Sequence, residues 1–300
     1  MKPVAIATLL LLTLITASAQ TEPLSLMTTR MIIRLDGSLE PRLEAIALIE
    51  QGQLRTPAGA KNKEAVAFNR KYLAKGQKLF VIFGGGAAGT LNITESSVGC
   101  QGRISAMASF NPGSLGITRI HGQVLGLATN SDMIARSEIW RRAPTAAERA
   151  AAVKLAQVQF SSNGLTPAQI ATMQTANLTA IDVDGDNRAE LVGTFRLPTA
   201  TTDRPPRYVF LIAEGEGANY KTAFSTYRHF PNTEIFNIGE EALIDYLDLD
   251  RDGVAEIVTS YSSDTASGYH VYRRLGGGAT SAAWKLVYDY ANDFCGSEGA

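Results

Sequence analysis

The chain of 300 residues carries 28 Lys and Arg against 29 Asp and Glu. Charge this close to balance gives no reason to expect nucleic acid or an anionic membrane surface as partner. The only cysteines, Cys100 and Cys295, make one disulfide in an oxidising compartment or remain two free thiols, and their spacing leaves both open.

Residues 1–19 read as a secretory signal peptide. Lys2 supplies the positive start, residues 4–16 an apolar core too short to span a bilayer, and Ala17, Ser18 and Ala19 a small-residue cleavage site. No later stretch approaches a spanning length, so the expectation is a secreted or periplasmic chain without a transmembrane segment. From 20 to 140, short apolar runs alternate with Gly, Ser and Asn, which predicts strands at 31–35, 45–50, 78–83, 90–94, 104–108 and 123–128. One helix is expected at 63–73, where Ala65, Phe68 and Tyr72 share a face and Gly76 stops the run. This region reads as α+β. Gly84, Gly86 and Gly89 give a G-x-G-x-x-G string after the strand at 78–83, but a dinucleotide site needs a helix next and residues 90–94 are strand-like, so a hairpin is the better reading.

Residues 141–176 read as a helical connector. Thr145 and Glu148 form a capping box before an Ala-rich stretch that stops at Asn163 and Gly164, and Thr166, Pro167 and Gln169 start a second helix. From 177 to 290 the chain repeats itself with an offset of 66 residues. Residues 178–181 and 244–247 precede two acidic loops, residues 189–192 and 255–258 follow them, and apolar runs at 208–212 and 269–272 and at 220–227 and 284–290 complete each unit. Each unit is therefore strand, acidic loop, strand, strand, strand, the pattern of a propeller blade. The fold class expected is mainly β with some α.

The acidic loops place Asp182, Asp184, Asp186 and Glu190, and Asp248, Asp250, Asp252 and Glu256, at positions 1, 3, 5 and 9. Three carboxylates within five residues repel unless a cation sits among them. Calcium suits an all-oxygen set of irregular geometry, with the position-7 carbonyls of Arg188 and Val254 as further donors. Asn187 and Gly253 at position 6 tolerate the left-handed backbone such a turn requires. An EF-hand is a poor fit, because position 12 is Gly193 or Thr259 rather than Glu and the flanks are strand-like. The alternative is an Asp-rich turn that satisfies only its own backbone.

These loops, with an apolar strand leading in and a Leu-Val or Ile-Val strand leading out, resemble the VCBS and FG-GAP repeat families, the calcium-loop blades of integrin α-type propellers, over roughly 177–290. The resemblance implies two calcium sites, at the residues named above, each joining two strands of one blade. The Phe-Gly and Gly-Ala-Pro sequences that name the FG-GAP pattern are absent from these units. The expectation is an exported, calcium-stabilised repeat protein acting as a binding or structural module for a protein or carbohydrate ligand. The rival is a secreted hydrolase or lyase whose catalytic residues lie in the N-terminal half, with the repeats as accessory. No catalytic residue is singled out: His121, His229 and His270 lack metal-type spacing and read as surface or packing residues.

Overall fold

The computed structural model describes residues 23–33, 39–57, 62–99, 102–112, 124–131, 141–198, 207–229, 239–262, 266–276 and 283–293. Among these, sixteen strands outnumber three helices, one of them a single turn. The chain is mostly β, and the expected α+β fold with a helical connector is overturned. The signal-peptide reading, Cys100, Cys295 and His121 lie outside the described residues.

The first part is a closed barrel. Strands β1 (Leu24–Ile33), β7 (Val124–Thr129), β4 (Lys78–Phe83), β5 (Gly86–Val98), β6 (Ile104–Pro112) and β2 (Leu39–Glu50) pair in that order, and β1 returns to β2 to complete the ring. A short strand, β3 (Gln53–Arg55), extends β2 beyond the ring. Alternation along each strand sends Met27, Leu43, Leu79, Leu91, Ile93 and Ile104 inward. Ala45, Ala88, Ala106, Ala108 and Ala128 are buried with them, small side chains that suit the confined bore of a six-stranded ring. Helix α1 (Asn62–Tyr72) adds Ala65, Phe68 and Tyr72 to this same core. It is part of the barrel's filling rather than a separate α layer. Gly84 and Gly85, with φ of 62° and 76°, make the two-residue turn between β4 and β5, so the Gly-rich string is a hairpin as expected.

Residues 141–176 are not a connector. Arg141 and Arg142 form an edge strand, β8 (Arg141–Arg142), paired with β9 (Gln174–Ile181). Helix α2 (Ala146–Ser162) has the expected capping box and is followed by the short α3 (Pro167–Ile170). The face of α2 that carries Ala152, Ala156 and Phe160 is fully buried against Leu191, Val209 and Leu211 of a five-stranded sheet ordered β12-β11-β10-β9-β8, with β10 (Glu190–Leu197), β11 (Arg207–Glu214) and β12 (Lys221–His229).

The second sheet runs β13-β14-β15-β16, that is β13 (Gly239–Leu247), β14 (Glu256–Ser262), β15 (Ala266–Leu275) and β16 (Ala283–Asp293). Both sheets contain the expected order of four antiparallel strands with an acidic loop between the first and second. The second sheet is buried on both faces. Ile244, Leu247, Val258, Val271 and Tyr288 pack against Leu26, Ile46, Ile82 and Leu127 on the outside of the barrel. Leu243, Tyr246, Ile257, Tyr272 and Trp284 pack against Ile181, Val192, Phe210 and Ile212 of the first sheet. The layers therefore stack as barrel, second sheet, first sheet, helix α2.

Candidate metal centre

Each acidic loop is built by its own side chains. In the first, both oxygens of Asp182 accept backbone N–H groups, from Gly185 at 2.6 Å and Asn187 at 3.0 Å, while Asp184 accepts from Asp186 and Asp186 from Arg188. In the second, Asp248 accepts from Asp252 at 3.1 Å and Gly253 at 3.0 Å, and Asp252 from Val254. The two backbones follow one design, with left-handed φ at position 4 (Gly185, 77°; Arg251, 65°) and position 6 (Asn187, 65°; Gly253, 93°). The permissive residues expected at position 6 are where the turn requires them.

Two clusters of carboxylates result, each with oxygens within 4.8 Å of one another: Asp182, Asp184 and Asp186 in one, Asp248, Asp250 and Glu256 in the other. Both could hold a metal ion. The sets are not identical. Glu190 stays out of the first cluster, buried with its Oε2 accepting the Val183 N–H at 3.0 Å, and Asp252 stays out of the second. Glu256 accepts from Leu249 in the same way at 2.8 Å while joining the cluster. Arg188 turns its side chain to Glu216 at 3.7 Å, and Val254 packs against the core between the sheets. Burial pushes the Glu190 carboxyl up to about 8, opposed by the Val183 N–H and reinforced by the charge of Asp184. Burial likewise pushes Glu256 up to about 7, against the Leu249 N–H and Arg273, and raises Asp250 against Arg273.

Two arginines that the sequence did not single out complete the loops. Arg273 and Arg274 are consecutive on β15, so they point to opposite faces of the second sheet. Arg273 donates to Glu256 at 2.6 Å, lies 3.2 Å from Asp250, and reaches the carbonyl of Gly52 in the β2–β3 turn. Arg274 crosses to the other sheet and donates to Asp184 at 2.6 Å, with its Nε 3.0 Å from Glu214 but without hydrogen-bond geometry. The carboxylates thus have a cation beside them from the protein itself, which corrects the expectation that only an ion relieves their repulsion. The loops also touch: the Ala255 N–H of the second donates to the Val183 carbonyl of the first at 2.8 Å.

Two further polar centres stand out. His270 is a buried ligand of Glu241, not a surface or plain packing residue: its Nδ1 is 2.8 Å from Oε1, which also accepts the hydroxyls of Tyr272 at 2.6 Å and Thr259 at 2.7 Å. Burial pushes the Glu241 carboxyl up, but these bonds outweigh it and hold the group below its ordinary value. The second centre is a cleft of about 630 Å³ between the barrel wall and the second sheet. In it, Arg103 and the Tyr269 hydroxyl both donate to Glu44 Oε2, at 3.0 and 2.8 Å.

Comparison with protein-family models, with curated proteins and with solved structures finds no match to the chain.

Proposed function

We propose that this chain is an exported binding or structural module whose two acidic loops hold calcium, built on repeats of the VCBS and FG-GAP type. The observation that carries the reading is the convergence of three carboxylates in each loop, at the same place in two successive antiparallel meanders. The donor sets fit the ion. They are all oxygen and of irregular geometry, which calcium accepts, and Asp250 Oδ1 is shut off from solvent with no hydrogen-bond partner, an oxygen that a cation would satisfy. Asp182, Asp184 and Asp186 would hold one ion and Asp248, Asp250 and Glu256 the other, with the carbonyls of Arg188 and Val254 as further donors. Arg274 and Arg273 would share their carboxylates with it.

Calcium binding only the folded chain stabilises it by mass action, and extracellular modules bind at ~10⁻⁴–10⁻³ M, within reach of millimolar calcium. The test is thermal melting of the mature chain with excess calcium or excess chelator. Chelation should lower the midpoint by several degrees, and Asp250→Ala should remove part of that difference; identical curves would end the metal reading.

A secreted hydrolase or lyase is the second reading, favoured by the cleft beside Glu44. Glu44 is, however, occupied by Arg103 and Tyr269, an arrangement that suits holding a ligand better than moving its protons.

A further inference from the structure

We propose that the cleft between the barrel and the second sheet binds a small hydroxylated oxyanion, its carboxylate or phosphate seated between Arg30 and Arg42. This gives the binding module a ligand and rests on that reading, but not on calcium. Cleft size comes first: about 630 Å³ lies within the range of small-molecule sites, and the walls come from two different parts of the fold, the barrel and the second sheet.

The charges then select the ligand. Arg30 on β1 and Arg42 on β2 are direct cross-strand partners on the cleft side of the barrel wall. Like charges directly opposite one another destabilise a sheet, and the one carboxylate that meets this pair among the described residues sits on Arg42 alone. Among the described residues Arg42 meets only the Glu40 carboxylate, at 3.2 Å, and keeps 60% of its side chain exposed. Arg30 is exposed and makes no hydrogen bond or ion pair among the described residues. Two carboxylates line the cleft: Glu44 faces Arg103 and Tyr269 instead, and Glu95 on β5 makes no ion pair with Arg30 among the described residues. Two guanidiniums therefore remain with donors to offer, and their planar forks match the oxygens of a carboxylate or phosphate.

Farther along the same barrel wall, hydroxyls line the cleft, since Ser105 on β6 is the cross-strand partner of Glu44 on β2. Ser97 and Ser105 are cross-strand partners whose hydroxyls lie 3.1 Å apart, and Ser96 adjoins them. Such groups exchange hydrogen bonds with the hydroxyls of a polyol. A sugar acid or sugar phosphate has both features.

Calorimetric titration of the mature chain with glucuronate, glucose 6-phosphate and glucose tests the assignment. At least one of the two anions should bind while glucose does not, and which anion binds distinguishes carboxylate from phosphate. Arg30→Gln and Arg42→Gln should each weaken that binding about tenfold or more. Both variants should keep the calcium-dependent shift in melting temperature, so failure here is separable from failure of the metal reading. Absence of binding by both anions, glucose binding as tightly as they do, or wild-type affinity in both variants would overturn the assignment. So would a loss of stability in Arg30→Gln, since it would reveal a structural partner for Arg30.

Discussion

At position 4 the two acidic loops ask for the same backbone and receive different residues. Gly185 takes a positive φ without cost, whereas Arg251 does so with a Cβ in the way, and its exposed side chain makes no compensating hydrogen bond or ion pair among the described residues. Arg251→Gly should therefore stabilise the chain by about 1 kcal/mol, read as a rise of roughly 2 to 4 °C in melting temperature. Gly85 is the reverse case. A Cβ there would lie 2.6 Å from the Tyr246 ring at a φ of 76°, in a turn whose N–H groups are bound by the buried Asp245 at 2.8 and 3.0 Å. Gly85→Ala should cost about 2 to 4 kcal/mol in chemical denaturation, by clash and strain together. Little of this was legible in the sequence. The carboxylate spacing announced the loops, but Arg273 and Arg274 read as an ordinary basic pair, because strand alternation sends them to different partners 17 and 90 residues away. His270 gave no signal for the same reason: Glu241 lies on another strand, 29 residues earlier.

Among the elements, α2 shows where sequence patterning succeeds and where it misleads. Its start was plain from Thr145 and Glu148, and the structure adds Arg142, which holds Glu148 through two bonds of 2.7 Å. Its role was hidden, because a buried stripe of Ala152 and Ala156 looks neutral in a sequence and the helix read as a spacer. The Arg142 pairing, with the Thr145 bonds, holds the Glu148 carboxyl down to about 2 against the opposing effect of burial. A depressed folded value means the stabilisation is fully present above the unfolded value near 4.5 and is lost as pH falls toward 2. Glu148→Gln should cost about 1 to 2 kcal/mol at neutral pH, and its deficit against the wild type should shrink between pH 5 and pH 2 in denaturant titrations. The strand β15 carries a prediction too. With Arg274→Met, Asp184 loses its internal counter-charge, so the melting difference between calcium and chelator should widen; an unchanged difference would mean that guanidinium and ion do not share the carboxylate.

For the molecule as a whole, strands at 45–50, 78–83, 90–94 and 104–108 were readable from their apolar runs and lie within β2, β4, β5 and β6. Barrel closure was not, because it depends on β1 pairing with β7 about a hundred residues away, and Ser25, Thr28 and Thr29 in β1 dilute its apolar pattern. Layer stacking was also invisible, since it depends on which face of the second sheet meets which neighbour. The stacking makes the parts interdependent. A fragment of residues 20–140 would expose Leu26, Ile46, Ile49, Ile82 and Leu127, which the second sheet covers in the full chain. Burial of each such side chain is worth about 1.5 to 3 kcal/mol, so the fragment should aggregate or elute as oligomers in size exclusion where the full chain does not.

The Ala255 N–H donated to the Val183 carbonyl ties the two turns into one unit. Rigidity acquired at either turn is then inherited by its neighbour, and a first ion lowers the ordering cost that a second must meet. Filling should accordingly be steeper than for two independent receptors, with a Hill coefficient above one in a calcium titration.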